Sequence, residues 1–374
     1  MWKYRNVEAQ KCGSTEMWKR RNVEVQKCGS AENPEYSKVR ITAGTGVNMK
    51  EKILNILQGA DDYISGQYLC EMLGVSRTAV WKCIRQLQEE GYVIDAVKNR
   101  GYCLRESGDI LSLHELKRVM ETGWMGQNLY FFDKIDSTNL EAKRLADGGA
   151  PEGTLVVADC QQSGRGRLGR VWTSPAGCGL WMSMVLKPAF SAQQASMVTL
   201  VTAMAVMDAI EEVSGVQVQI KWPNDLVVQG RKVCGILTEM SMEEGRISFI
   251  VPGIGINVNN DHFPEELSEK AISLAMLTGS TLSRAALAGA VCRSFEKYYA
   301  DFLEHGNLAG MMDAYNERLV NRNQQVVISD GAGSFKCLSE GIDETGALLV
   351  QREDGRKEAI SSGEVSVRGV YGYV

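Results

Sequence analysis

The chain has 374 residues, 44% of them apolar and 23% charged, with a formal net charge of −5. That balance excludes a wholly disordered chain and, at roughly 100–200 residues per domain, leaves room for two or three domains with real cores. No apolar run approaches the roughly 20 residues a membrane helix needs. The best candidate, Met197 to Ile210, carries Thr and Asp and reads as a buried core helix. There is no signal-peptide stretch, and ten cysteines are scattered without a C-x-x-C pair. Reduced thiols and a cytoplasmic location are therefore expected. Charge is uneven, at +4 over residues 1–48, zero over 49–107 and −9 over the remainder.

Residues 1–48 open with a tandem repeat in which Met1–Glu16 and Met17–Glu32 differ only at Tyr4/Arg20, Ala9/Val25 and Thr15/Ala31. Two short units cannot build a solenoid. The rest of the segment is turn-rich and poor in core residues, so the leader is expected to have no fold of its own. A basic arm that touches DNA or protein is the alternative.

From Met49 the pattern turns helical, with Ile53, Leu54, Ile56 and Leu57 on one stripe ended by Gly59. Ser65 is positioned to cap a second helix that Gly74 ends, and Ser76 to cap a third with Val80, Ile84 and Leu87 facing inward. This spacing predicts a helix-turn-helix, with Arg77, Thr78, Lys82 and Arg85 on or near the outward face of the reading helix. The strand Tyr92–Ile94, a basic tip with Lys98 and Arg100, and the strand Tyr102–Leu104 form a wing able to reach phosphates. A protein-binding helical domain is the alternative, and zero net charge favours it. Clustering of the basic groups on reading helix and wing favours DNA.

In the centre, the strand-like run Asn128–Phe132 leads to Ser137, Thr138 and Asn139, and Thr138 and Glu141 have capping-box spacing. A helix start with three polar side chains makes a cup for a small polar ligand group. A second strand, Thr154–Cys160, runs into Gln161 and then Gly164-Arg165-Gly166-Arg167-Leu168-Gly169-Arg170-Val171-Trp172. The glycines match G-x-G-x-x-G, but no helix follows and three arginines stand where dinucleotide folds use bare backbone. The reading is a mobile cationic loop suited to closing over a phosphate-bearing intermediate. Further on, Lys221-Trp222-Pro223-Asn224-Asp225 places a lysine at a strand end, where it can meet a carboxylate and then a phosphate. A hairpin around Gly230-Arg231-Lys232 follows, and a last strand ends in Gly253-Ile254-Gly255-Ile256-Asn257, whose glycines permit close approach by a ligand. From about Asn323, short strands alternate with Gly-containing turns and read as a small β-barrel. His114, His262 and His305 lie far apart without metal spacing, and no protein-held metal is expected.

The arginine loop, the Lys221–Asp225 segment and Gly253–Asn257 together resemble the signature segments of biotin–protein ligases. With the winged helix in front, residues 49–374 resemble the bifunctional type that also represses the biotin operon. The resemblance implies an α+β chain with a winged helix-turn-helix (49–107), a catalytic domain with a mixed, class II synthetase-like sheet (108–322) and a C-terminal barrel (323–374). It implies that biotin and MgATP give biotinyl-5′-AMP, which then acylates a lysine of a biotin carboxyl carrier protein. Ser137, Thr138, Asn139, Gln161, Arg165, Gly166 and Arg167 would line the biotin and adenylate site, Trp172 would pack near the adenine, and Lys221 would meet the carboxylate and α-phosphate. Asn257 would lie near the nucleotide and its metal. Operator DNA and a ligand-induced homodimer are the further partners implied. A lipoate or octanoate ligase on the same core, and a ligand-sensing transcription factor without catalysis, are the rivals.

Overall fold

The computed structural model describes residues 49–60, 62–105, 108–330, 333–361 and 366–369. The leader and its repeat lie outside the described residues. Three helices, α1 (Met49–Gln58), α2 (Gly66–Leu73) and α3 (Arg77–Glu89), precede a two-stranded wing, β1 (Ile94–Val97) and β2 (Gly101–Leu104). The caps fall where the sequence puts them. Ser65 Oγ accepts from Tyr68 N, Ser76 Oγ accepts from Ala79 N, and Gly74 closes α2 at φ 66°. Ile53, Leu54, Leu57, Leu69, Val80, Ile84 and Leu87 form a core of their own with Tyr92 and Ile94. Ile64 bridges Tyr102 through two 2.8 Å backbone hydrogen bonds and widens the wing.

The next elements are α4 (Leu113–Val119), β3 (Leu129–Phe132), α5 (Thr138–Asp147), β4 (Leu155–Ala158), β5 (Gly179–Met184), α6 (Ala192–Ala195) and α7 (Met197–Ser214). Then come β6 (Gln219–Lys221), β7 (Asp225–Val228), β8 (Arg231–Glu243), β9 (Arg246–Asn257), α8 (Glu265–Ser268), α9 (Leu274–Thr278), α10 (Arg284–His305) and α11 (Met312–Arg318). The strands make one seven-stranded sheet, ordered β3-β4-β5-β9-β8-β7-β6. Only β3 and β4 run parallel, so the sheet is mixed as expected. All four residues of β4 are buried because both faces are covered. Leu155 and Val157 enter the large core with α7 and α10, whereas Val156 and Ala158 enter a smaller one with Ala142 and Ala146 of α5. The Met197–Ile210 run is α7, with most of its residues buried. Among the described residues no helix is long and apolar enough to cross a membrane.

The strand that ends at Lys221 spans only Gln219–Lys221, and one local expectation changes. The capping box at Thr138 does not form. Ser137 is the N-cap without a side-chain bond, and the Gln161 carboxamide oxygen accepts from Thr138 N and Oγ1 at 2.9 and 3.1 Å. A side chain from the loop after β4 thus does the capping that sequence spacing assigned to Glu141, which bonds Arg144 instead.

The C-terminal strands β10 (Gln324–Asp330), β11 (Gly333–Ile342), β12 (Leu348–Arg352), β13 (Lys357–Ile360) and β14 (Ser366–Gly369) form an antiparallel sheet ordered β13-β12-β11-β10-β14. Among the described residues no pairing joins its two edges. Val326, Ile328, Leu348 and Val350 belong to the same core as α7 and α10. The buried Trp222 indole donates to Gly346 O at 3.1 Å and ties this sheet to the residue beside Lys221.

Between winged helix and sheet, Glu115 of α4 accepts from Gln58 Nε2 and Tyr92 OH, both at 3.1 Å, and from Arg118 Nε at 2.9 Å. Gly101 shows how tightly the wing is built. It has φ +115°, and a Cβ there would stand 2.0 Å from Ile64 O. Gly101→Ala is expected to cost about 2–3 kcal/mol through backbone strain and the broken bridge. Chemical denaturation followed by far-UV circular dichroism measures that loss.

Candidate functional site

The site lies on the sheet face that α5 covers. Hydrogen-bonded register carries one row straight across all seven strands, through Phe132, Ala158, Trp181, Gly255, Gly235, Asp225 and Lys221. Alternation puts Gly253 on the same face as Gly255 and opposite Ser183. These glycines make a floor without side chains. A Cβ on Gly253 would lie 1.9 Å from Asn139 Oδ1, one on Gly255 2.6 Å from Trp172 Nε1, and one on Gly235 2.8 Å from Lys232 Cε. Above the floor is a cleft with about 480 Å³ of empty space.

One end of the cleft is polar. Ser137, Thr138 and Asn139 are all buried. Ser183 Oγ lies 2.6 Å from Asn139 Oδ1 and 2.8 Å from Thr138 Oγ1. Asn139 Nδ2 donates to Leu237 O at 3.1 Å and to Glu239 Oε2 at 2.8 Å. Burial pushes the Glu239 carboxyl up, but the hydrogen bonds from Lys143 and Asn139 outweigh it and hold it below its ordinary value. Both ends of the Asn139 amide are thus engaged by protein, and its orientation is set before any ligand arrives.

The arginine loop is a flap with its own hydrogen bonds. Gln161 N donates to Ser174 O at 3.0 Å, Trp172 N to Gly164 O at 2.9 Å and Gly166 N to Arg170 O at 2.7 Å. A single 3-10 turn, Arg167–Gly169, forms its tip, with Leu168 at φ 55°. No helix follows the glycines, consistent with the rejected dinucleotide reading. Arg167 is half-buried, and its Nη1 donates to Asn224 Oδ1 at 3.0 Å, which ties the flap to the Lys221–Asp225 turn. Burial lowers its guanidinium below its ordinary value, and Asp225 acts in the opposite direction. Trp172 packs edge-on to Trp181, with centroids 6.4 Å apart.

The other end is cationic. Lys221 is only 4% exposed and stands across from Asp225 in register. Burial pushes its ammonium down to about 8, with Asp225 opposing and Lys232 adding to the fall. Lys232 Nζ lies 2.5 Å from Asp225 Oδ1 and 5.0 Å from the Trp172 ring centroid.

Of the residues singled out from sequence, Ser137, Thr138, Asn139, Gln161, Arg165, Gly166, Arg167 and Trp172 line the cleft together. Lys221 and Asn257 do not line it. Lys221 adjoins it along the register row, and Asn257 turns its Nδ2 to the carbonyls of Lys232 and Ile272, each at 3.4 Å. Sequence reasoning passed over Lys232, Asn224 and Ser183 as site residues. Lys232 was legible in principle, because a hairpin that begins at Asp225 returns its far strand to the same row.

On the winged helix, Arg77, Thr78, Lys82, Arg85, Lys98 and Arg100 are all exposed. Some are already engaged. Arg77 Nη2 donates to Gln67 Oε1 at 2.9 Å, Arg85 lies 5.7 Å from the Trp81 ring centroid, and Arg100 pairs with Asp62 at 3.1 Å. An exposed ion pair of that kind exchanges readily for a phosphate. Trp81, 53% exposed on α3, is an aromatic on this face that the sequence reading did not use.

Comparison with known proteins agrees with this architecture. Residues 131–257 match the biotin/lipoate A/B protein ligase family, residues 50–103 an HTH domain and residues 323–368 the biotin protein ligase C-terminal domain. The chain is 41% identical to the bifunctional ligase/repressor BirA of Bacillus spizizenii over 84% of this chain and 97% of that protein. It is 31% identical to the Escherichia coli protein of the same name over 85% and 96%. Among solved structures, the biotin protein ligase of Aquifex aeolicus in complex with biotin and ATP superposes with a TM-score of 0.57 at 32% identity, covering 65% of this chain and 99% of that one.

Proposed function

The chain belongs to the bifunctional biotin ligase/repressor family, and on that premise we propose how its own residues ligate biotin and bind an operator. It is an ATP-dependent biotin–protein ligase and a biotin-responsive repressor. The observation that carries the reading is the register row from Trp181 to Lys221. It runs from an aromatic wall over a bare floor to a buried cation, and so offers an anionic acyl nucleotide a place to lie.

In the first step a biotin carboxylate oxygen attacks the α-phosphorus of ATP and pyrophosphate leaves, giving biotinyl-5′-AMP. In the second the ε-amine of a carrier-protein lysine attacks the acyl carbon and AMP leaves. No side chain of this enzyme is a covalent nucleophile; positioning and charge stabilisation do the work. Ser137, Thr138 and Asn139 meet the biotin head group, with Gln161, Arg165, Gly166 and Arg167 along the biotin and adenylate. Trp172 packs near adenine, and Lys221 offsets repulsion between carboxylate and α-phosphate. Mg2+ enters with the phosphates of ATP. Among the described residues no three His, Cys, Asp or Glu side chains cluster to hold a metal, and no step is assigned to the ion. Asn257, on the sheet face of Gly253 and Gly255 and buried against the Lys232 carbonyl, would lie near the nucleotide and its metal. The acceptor is a biotin carboxyl carrier protein, the location is cytoplasmic, and the repressor is a ligand-induced dimer on operator DNA, read by Arg77, Thr78, Lys82 and Arg85 with Lys98 and Arg100 on the backbone. The domain limits follow the sequence, at 49–107, 108–322 and 323–374.

ATP–pyrophosphate exchange tests the ligase reading directly. Biotin is expected to support it and lipoate is not; the reverse result would make the chain a lipoate ligase, and no exchange with either would leave a sensor. Lys221→Ala is expected to retain the fold and lose at least about a hundredfold in adenylate formation, since a preorganised charge of this kind contributes about 3–4 kcal/mol. The cationic form of Lys221 is present below its pKa of about 8 and lost as pH rises through it. The kcat/KM for biotin should therefore decline above about pH 8, well below the 10.5 of an ordinary lysine.

Arg167→Gly cuts the tie to Asn224 and frees the flap. The variant is expected to make the adenylate but release it, so that an unrelated lysine-rich protein becomes biotinylated on a blot. For the repressor, biotin plus ATP is expected to tighten binding to a palindromic operator by linkage to dimerisation. Arg85→Ala should weaken that binding in a gel shift while carrier biotinylation continues at its normal rate.

A further inference from the structure

One buried guanidinium joins three segments that are far apart in the chain. Arg284 opens α10, and its side chain is only 4% exposed. Its backbone N donates to Asp109 Oδ1 at 2.8 Å, and its Nε donates to Oδ2 of the same carboxylate. Asn259 Nδ2 donates to that Oδ2 at 2.8 Å. On the other side, Arg284 Nη1 donates to Asp159 Oδ1 at 2.6 Å and to Gly179 O at 3.2 Å. Asp159 Oδ1 also accepts from Gly177 N at 3.0 Å. None of Asp109, Asp159 and Arg284 lines the cleft.

The partners are the two stems of the flap and the entry to the catalytic half. Asp159 directly follows β4 and stands two residues before Gln161, where the flap begins. Gly177 and Gly179 lie where the chain returns from the flap into β5. Asp109 stands between the wing and α4, and the next two residues serve different cores. Ile110 packs on the core of the winged helix, and Leu111 belongs to the large core beneath the sheet. A displacement of Asp109 therefore moves the seat of the winged helix. A buried guanidinium is costly unless its donors meet acceptors held in place, and here a carboxylate stands on each side of one fork. The two limbs differ, with the Asp109 side chain 6% exposed and that of Asp159 24%. The Asp109 limb is the permanent one, and the Asp159 limb is the one that water can replace. We propose that Arg284 and Asp109 are positioning residues that tie both flap stems to the entry of the winged helix, so that ordering of the flap by the adenylate also seats the winged helix for operator binding; this rests on the ligase reading above. The tie acts in both directions, because whatever steadies the flap stems steadies residues 109–111 by the same free energy.

The test uses the full chain with Asp109→Asn, which keeps the shape and removes the charge, Asp109→Glu, which restores the charge, and Asp159→Asn on the more exposed limb. Four quantities are compared: single-turnover adenylate formation, adenylate release read as labelling of a bystander protein, operator binding with and without biotin plus ATP, and amide hydrogen exchange over residues 159–179. Asp109→Asn is expected to form adenylate within about twofold of the unmodified rate. It should release adenylate roughly threefold to tenfold faster and lose a similar factor of the operator tightening given by biotin plus ATP, part of a coupling that typically spans about fivefold to 150-fold. The Gly177 amide should exchange faster, although it lies across the guanidinium from the changed residue. Asp109→Glu should recover most of the retention and of the operator response. Asp109→Asn and Asp159→Asn together should act less than additively, since both work through Arg284. If Asp109→Asn does not fold, Asp159→Asn carries the same expectations for release and operator response. A lower melting temperature with release and operator response unchanged would make the group a structural ion cluster and overturn the proposal, as would additive effects in the double variant. Absence of biotin-dependent ATP–pyrophosphate exchange in the unmodified chain would refute the ligase reading instead. Hydrogen exchange at Gly177, faster in the variant if the tie holds and unchanged if it does not, would still judge Arg284.

Discussion

The whole site depends on a stretch of sheet that carries no side chains. At Gly235, Gly253 and Gly255 any Cβ would collide with Lys232, Asn139 or Trp172. Elsewhere on the same face the rule is the opposite, with Phe249 and Val251 of β9 buried against α5. One strand therefore changes from core to floor within four residues, and it does so by losing side chains rather than by bending away. The loss is affordable because the opposite face remains fully packed, with Ile250, Ile254 and Ile256 in the large core. A cleft opened this way keeps the stiffness of a central strand beneath the ligand.

Charge is organised with similar economy. Asp225 pairs with Lys232 and acts on both Lys221 and Arg167. One carboxylate thus acts on three cations. Burying an ammonium is costly unless an opposite charge is close, and the depressed pKa of Lys221 shows that the compensation is partial. Anionic substrates complete it. Drawing affinity and catalysis from one field in this way is general among enzymes.

Much of this was legible in the chain, for identifiable reasons. Local signals held where the interacting groups are neighbours in sequence, as with Ser65, Ser76 and Gly74 around the helix turn. They failed where a partner arrives from elsewhere. Thr138 has the spacing of a capping box, yet Gln161 from the loop after β4 reaches its amide first. Asn257 carries a residue type suited to a nucleotide site and shares the face of Gly253 and Gly255, yet its amide is turned to the backbone carbonyls of Lys232 and Ile272. Lys232 looked like a hairpin turn because its distance from Asp225 in sequence hides their meeting in space. The motifs named the chemistry, and only the strand order of the sheet could say which side of each motif faces the ligand.

The separate core of the winged helix has a consequence for how such a chain can be built and rebuilt by recombination. Its nine core residues share none with the clusters beneath the sheet, whereas the C-terminal strands are inseparable from the large core. At the seam, Gln58 and Tyr92 reach across to a single carboxylate, Glu115, which Arg118 on its own helix also holds. Remove the front cassette and that carboxylate meets water, a good solvent for it, with Arg118 still beside it. The seam can thus be cut without leaving a buried charge stranded. A DNA reader could be gained, exchanged or discarded here over evolutionary time while the catalytic half remained intact, but the last strands could not follow the same route.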